Sequence, residues 1–282
     1  MKVAMLNAKG SPGVTTLAMG VAARWPQPGV VVVEADPAGG DLLARFGHPP
    51  AVPGHEPGLE AMARAKPTSP SGVDPQAWIQ PTAPGVDIVG ADPGSAAAVI
   101  LQELARRGPM LLRELERERP AVIVDAGRWH PGSWANPLVA AMDVVILVVR
   151  PGLEQFRQAE VRLASLRELV ADVRLVTIGD RPWSPSDVAA GLGLPLLGVV
   201  PVDDRGAGLL SGRLVPGRGW SSNGWTRLPL LRACRSIAHG LDANATFIGV
   251  GPAPHLERRS DRPGEVFRGG GAVHRREQVQ QR

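Results

Sequence analysis

Residues 8–15, Ala-Lys-Gly-Ser-Pro-Gly-Val-Thr, place a lysine, two glycines and a hydroxyl between two apolar runs. The run before them, Val3 to Leu6, reads as a buried strand, and the run after them, Leu17 to Trp25, as a helix stopped by Pro26 and Pro28. Strand, glycine loop and helix in that order aim backbone N–H groups and a helix N-terminus at a phosphate. The ordinary phosphate-loop pattern is G-x-x-x-x-G-K-[ST]. Gly13 and Thr15 match it, but Ala8 stands at its first glycine and Val14 at its lysine. A different lysine, Lys9, lies in the loop. It is one of only three (Lys2, Lys9, Lys66) among 31 basic residues, so compositional drift does not account for it.

Two acids stand where such a loop needs them. The run Val30 to Asp36, VVVVEAD, is apolar enough for a strand covered on both faces, and it ends in Glu34 and Asp36. Open α/β sheets place ligands at the carboxyl ends of their strands. Asp36 alone would equally suit an Asp-Pro turn. The run Ala121 to Gly127, AVIVDAG, ends in Asp125, the pattern of a strand-end acid that holds a water of Mg²⁺. Arg128 follows directly and is a candidate charge donor, with a surface loop arginine as the plainer alternative.

The stretch Lys9 to Thr16, KGSPGVTT, resembles KGGxGKTT, the deviant Walker A motif of the ParA/MinD family of P-loop ATPases. The resemblance runs in motif order over about residues 1–241. It implies ATP and Mg²⁺ as cofactors and a nucleotide loop of Lys9, Gly10, Ser11, Pro12, Gly13, Val14, Thr15 and Thr16. It also implies a metal set of Thr15, Asp36 and Asp125. Lys9 would be the signature lysine that reaches across an ATP-dependent homodimer to the partner's nucleotide. Asp36 would position the attacking water, which makes Lys9 and Asp36 the catalytic candidates. The stretch Gly198 to Asp204, GVVPVDD, is similar to the turn that flanks the adenine pocket, with Pro201 at its centre.

Val14 departs from the family, which has a second lysine there. Phosphoryl transfer depends on electrostatic stabilisation, and this departure removes a charge at the phosphates. Three outcomes stay open: binding with weak or lost hydrolysis, placed first; a slow ATPase with Lys9 supplying charge in trans; and a nucleotide-free scaffold for protein partners or DNA. A dinucleotide-binding enzyme is the remaining alternative. Ala8-Lys9-Gly10-x-x-Gly13 is one residue from G-x-G-x-x-G, and Glu34 sits about 20 residues on, where a ribose-binding acid belongs. Thr15-Thr16, Asp125 and ADPAGG are not required by that fold, and all fit the first family in order.

The elements that would position these residues alternate between strand and helix. Further strands are expected at 85–92, 143–151, 172–178 and 198–202. Helices are expected at 96–104 and 110–119, broken near Gly108-Pro109, then after Pro151, after Ser184-Pro185, and over Leu228 to Leu241. This pattern gives an α/β fold, a doubly wound and mostly parallel sheet with helices on both faces. One domain is expected over residues 1–249, with a surface excursion at 47–85. A disordered Arg/Gly-rich tail is expected at 250–282. The loop His130 to Pro137 sits where this family has its switch loops, and no Ser-His-Asp spacing gives His130 or Ser133 a catalytic role.

With 44% apolar residues, the 282-residue chain can build a real core. Residues 1–204 hold 18 basic and 22 acidic side chains, whereas 205–241 hold six arginines and no acid. That basic segment, through Arg213, Arg218, Arg227, Arg232 and Arg235, is a candidate surface for non-specific DNA or an anionic membrane. Its plainer reading is a solvated face. One cysteine, Cys234, excludes an internal disulfide, and no apolar run nears the roughly 20 residues that span a bilayer. The expected location is cytoplasmic, peripheral at a membrane or the nucleoid. The family resemblance implies a spatial-positioning or partitioning switch.

Overall fold

In the computed structural model, described for residues 1–47, 57–66, 74–94, 96–214 and 224–248, alternating burial along the strands builds three layers. β1 (Lys2–Asn7) sends Ala4 and Leu6 to one face and Val3 and Met5 to the other, all of them fully buried. The loop after it leads into α1 (Val14–Ala23), then β2 (Val31–Glu34) and the short α2 (Leu42–Phe46). Next come α3 (Leu59–Arg64), β3 (Gln80–Pro81), β4 (Asp87–Val89), α4 (Ala96–Glu118), β5 (Val122–Arg128) and α5 (Asn136–Val139). β6 (Val144–Val149), α6 (Leu153–Leu169), β7 (Val173–Ile178), α7 (Pro185–Leu192), β8 (Leu196–Val200), α8 (Asp204–Leu210) and α9 (Pro229–Ile248) complete the described chain.

The eight strands form one sheet in the order β3-β4-β2-β5-β1-β6-β7-β8. Every pairing is parallel except β3 with β4. β1 lies between β5 and β6, and the chain winds outward from it in both directions. Its carboxyl end is therefore the switch point at which open α/β sheets bind ligands. Helices α3 to α7 cover one face; α1, α8 and α9 cover the other. The doubly wound sheet expected from the alternation of patterns is the one observed.

Two expectations need correction, and two local features are added. The segment 96–119 is one 23-residue helix that passes through Pro109. Its apolar stripe, Ala97, Leu101, Leu104, Leu111 and Leu115, keeps phase on both sides of the proline. Gly108 falls on that stripe, where Leu138 of α5 fills the space a side chain would take. Continuous burial outweighs the hydrogen bond that a proline removes. The excursion at 47–85 is not wholly superficial either. Leu59, Met62 and Trp78 in it are almost completely buried, and burying each such side chain contributes about 1.5–3 kcal/mol. The loop His130–Pro137 runs into α5, with Trp129 buried and its indole N–H donating to Asn136 Oδ1 at 2.7 Å. Finally, the basic segment holds an additional helix, α8, capped by the Asp203 carboxylate, which accepts from the Gly206 N–H.

Helix α9 packs on the sheet. Leu231, Cys234, Ile237, Ala238 and Leu241 are buried against β8 and α1, as its amphipathic pattern implied. The Cys234 sulfur lies 2.6 Å from where a Cβ on Gly20 of α1 would stand, so only glycine lets these two helices approach so closely. The expected tail at 250–282 lies outside the described residues.

Candidate functional site

At the carboxyl end of β1 the backbone turns through Gly10 and Gly13, both with positive φ (76° and 112°). A Cβ on Gly13 would meet nothing within 4 Å, because this turn faces an open cavity of about 650 Å³. α1 starts at the next residue. No side chain caps it and its first turn holds no acid, so its leading N–H groups and positive dipole end face the cavity. Gly10, Ser11, Gly13, Val14, Thr15 and Thr16 line this space, together with Asp36, Asp41, Arg45, Arg128 and His130.

The register of the sheet brings the acids to it. Glu34 of β2 is level with Asp125 of β5, and Asn7 of β1 with Arg128. Asp125 is buried directly beneath the loop, where it accepts hydrogen bonds from the Thr15 hydroxyl and, at 3.0 Å, from the Gly127 N–H. Burial pushes its carboxyl up to about 6; these two donors oppose the rise and the Asp36 charge adds to it. Asp36 is also raised, first by burial, against the Ala38 and Arg128 N–H groups and the Arg128 charge. Its carboxylate lies over the Cα of Gly127, and any side chain at 127 would collide with it. Asn7 is 3% exposed; its Nδ2 donates to the Gly10 carbonyl at 3.1 Å while its Oδ1 has no protein partner.

Glu34 plays a different part from Asp36. It is buried, and its two oxygens accept from the N–H groups of Asp41 (2.7 Å), Leu42 and Ala91 (3.1 Å). Burial raises its carboxyl to about 7 in spite of these donors. It fastens the start of α2 and the end of β4, and it is not free to hold a ribose. The dinucleotide alternative loses its acid.

A second, smaller cavity of about 130 Å³ continues from the other side of the loop. Pro12, Gly13, Thr16, Leu17, Ile178, Val200, Pro201 and Leu230 are among its walls. Gly13 and Thr16 belong to both cavities, so one elongated molecule can span them: an anionic end in the wider space and a flat apolar end against Pro201. The arrangement fits a magnesium–nucleotide. Thr15, Asp36 and Asp125 offer oxygen to a hard cation, and Mg²⁺ binds through one or two carboxylates plus phosphate oxygens rather than in an all-protein cage. Among the described residues no three acid, imidazole or thiol groups cluster into such a cage.

Of the residues singled out by sequence, the loop from Gly10 to Thr16, Asp36 and Pro201 come together around these two spaces, and Asp125 lies buried behind Thr15. Lys9 does not; it is exposed on the outside of the loop. Val14 lines the larger cavity yet is 5% exposed and packs with Leu17 and Ala18. Sequence reasoning passed over Asn7, Asp41 and Arg45. Only the Asp41–Arg45 spacing of four residues could have signalled a pair, and helix α2 is too short to show periodicity.

No family model matches the sequence, and no curated protein matches it either. Solved structures do resemble it. The septum site-determining protein MinD from Pyrococcus horikoshii OT3, complexed with Mg-ADP, aligns at a TM-score of 0.65 and 17% identity, covering 87% of this chain and 97% of that one. A ParA family ATPase from Chlorobium tepidum TLS aligns at 0.63 and 16% identity, over 84% of this chain and 98% of that one. An ATP complex of McdA from Cyanothece aligns at 0.59 and 14% identity, over 90% and 99%. The chain has the fold of the ParA and MinD P-loop ATPases.

Proposed function

We propose that this protein binds Mg-ATP at the carboxyl end of β1 and acts as a ParA/MinD-like switch for positioning or partitioning, with hydrolysis weak or lost. The observation that supports it best is the contact between the Thr15 hydroxyl and Asp125 beneath a cavity that also receives Asp36. The loop hydroxyl and the strand-end acid are thereby placed to share one Mg²⁺. Bound Mg²⁺ would neutralise phosphate charge; the loop N–H groups would hold the phosphate oxygens, and Pro201 and Leu17 would shield the base. Val14 leaves no lysine at the position that ordinarily steadies the transferring phosphoryl group, hence the slow or absent turnover.

Lys9 is exposed and outside the cavity, which suits a lysine that serves a second copy of the chain in an ATP-dependent homodimer. Arg232 and Arg235 are exposed on the outer face of α9, Arg213 and Arg227 lie nearby in sequence, and Arg218 falls outside the described residues. Together they would offer a basic surface to DNA phosphates or anionic lipid. Among the described residues no helix is long and apolar enough to cross a membrane. The role of protein partner stays with whatever ligand this surface or the dimer recruits.

The test is calorimetry with ATP and ADP in Mg²⁺, with light scattering on the same samples. Micromolar ATP binding accompanied by a shift to dimer, the shift lost in Lys9→Ala, is the expected result. No binding at millimolar nucleotide would leave only the scaffold reading.

A further inference from the structure

Val14 shares its cavity with an arginine from another helix. Arg45 sits on α2, whose position is held from several sides: Leu42 and Leu43 are buried, and the Leu42 N–H is bound by Glu34. Arg45 lines the cavity together with Thr15, Asp36 and Gly13, and its guanidinium is held on that side by Asp41, another lining residue. The side chain is 30% exposed and pairs at 2.8 Å with Asp41, an acid on the same cavity wall.

Two arginines stand on the wall of the cavity. Arg128 is exposed; its backbone N–H donates to Asp36, and its charge also acts on that carboxylate. Arg45 is held by an exposed i,i+4 ion pair, and such pairs contribute little. A phosphate oxygen entering the cavity offers more charge than the Asp41 carboxylate and suits the planar, bidentate guanidinium.

We infer that Arg45 is a nucleotide-contacting residue in cis: it leaves Asp41 for the terminal phosphates and supplies the positive charge that the loop lacks at Val14. The inference rests on the nucleotide reading above. It adds that polyphosphate is recognised from α2, beyond the end of β2, and not from the start of α1. It also makes Asp41 a competitor, a carboxylate that holds the guanidinium until phosphate arrives. Selectivity then follows from length: ATP and ADP gain from Arg45, whereas AMP does not reach it.

The experiment is calorimetry on the full chain with Mg-ATP, Mg-ADP and AMP, for the unaltered protein, Arg45→Met, Arg45→Lys, Asp41→Asn and the Asp41→Asn/Arg45→Met double variant. Arg45→Met is expected to weaken ATP about ten- to hundredfold, the loss of one charged hydrogen-bonding group, while AMP is unchanged. Arg45→Lys should recover part of that loss. Asp41→Asn should tighten ATP about two- to fivefold, an effect of opposite sign to misfolding, and most of that gain should vanish in the double variant. If the unaltered chain binds ATP and Arg45→Met binds it equally well, the inference is overturned and the nucleotide reading stands. Equal gains from Asp41→Asn with and without Arg45 overturn it too. If the unaltered chain binds no nucleotide, both fall.

Discussion

The two cavities that meet at Gly13 are built on different principles. The wider one is a field of opposed charges, in which Asp36 and Asp41 share the wall with Arg45 and Arg128 and Asp125 lies buried behind Thr15. The narrower one is walled mainly by aliphatic carbon, with Pro12, Leu17, Ile178, Val200 and Pro201 around it and Arg150, Asp203 and Asp204 also on its lining. Charge can be relocated, since a guanidinium arriving from a neighbouring helix can stand in for an ammonium from the loop. A wall made by the ends of β7 and β8 has no such substitute.

That contrast can be broken most severely at Asp125. Asp125→Ala removes the acceptor of the Thr15 hydroxyl and the acid proposed to stand behind Mg²⁺, and Mg²⁺-dependent ATP binding is expected to fall by about 10- to 100-fold. Calorimetry with and without Mg²⁺ measures it; equal loss under both conditions would show that Asp125 acts only on the fold. Val14→Lys sharpens the comparison from the other direction. A restored ammonium should raise ATP affinity about tenfold, since charged hydrogen bonds are worth roughly 1.5–3 kcal/mol and part is offset by withdrawing Val14 from the core. An unchanged affinity for ATP would count against a phosphate role for the loop.

A pH series probes the two buried acids behind the charged cavity. Glu34 and Asp125 titrate near 7 and 6 in the fold, against 4.5 and 3.8 for free side chains. Raised acids favour the folded state most below about pH 4, and that contribution is lost as pH climbs through 6 to 7. In the absence of Mg²⁺ and nucleotide, the thermal midpoint attributable to these groups should therefore drop between pH 5 and pH 8. On the proposed reading Mg-ATP binds with Asp125 ionised, so binding near pH 6 should release protons, visible as a dependence of the calorimetric heat on the buffer's ionisation enthalpy. The smallest effect is expected on the apolar side. Pro201→Ala keeps most of the wall and should weaken ATP, ADP and AMP alike by about twofold, with tripolyphosphate unaffected.

Much of this site was legible in the sequence because its parts are tied to strand ends. Val3 to Leu6, Val30 to Val33 and Val122 to Val124 are unbroken apolar runs, and the residues directly after them had to emerge together at one edge of a parallel sheet. Gly10, Gly13, Thr15, Asp36 and Asp125 were readable for that reason. Arg45 was not, because its relation to Asp125 crosses from α2 to β5 and depends on how Glu34 anchors the intervening turn. Glu34 itself looked like a ligand acid; only its three N–H donors show it as an internal brace. The unbroken α4 illustrates the same limit. Gly108-Pro109 is a helix stop by local rules, and the packing of Leu138 and of the stripe on either side overrides them.

The close seat of Cys234 against Gly20 has a consequence for watching this molecule work. The sole cysteine of the chain is fully buried, and burial pushes its thiol up to about 12, so it is inert to alkylating reagents while the two helices stay together. Labelling at this sulfur therefore clocks the rate at which α9 lifts from α1, the helix whose first turn closes the phosphate loop. A ligand gripping that turn should slow the clock, and mass spectrometry of the native protein can read it without any introduced probe.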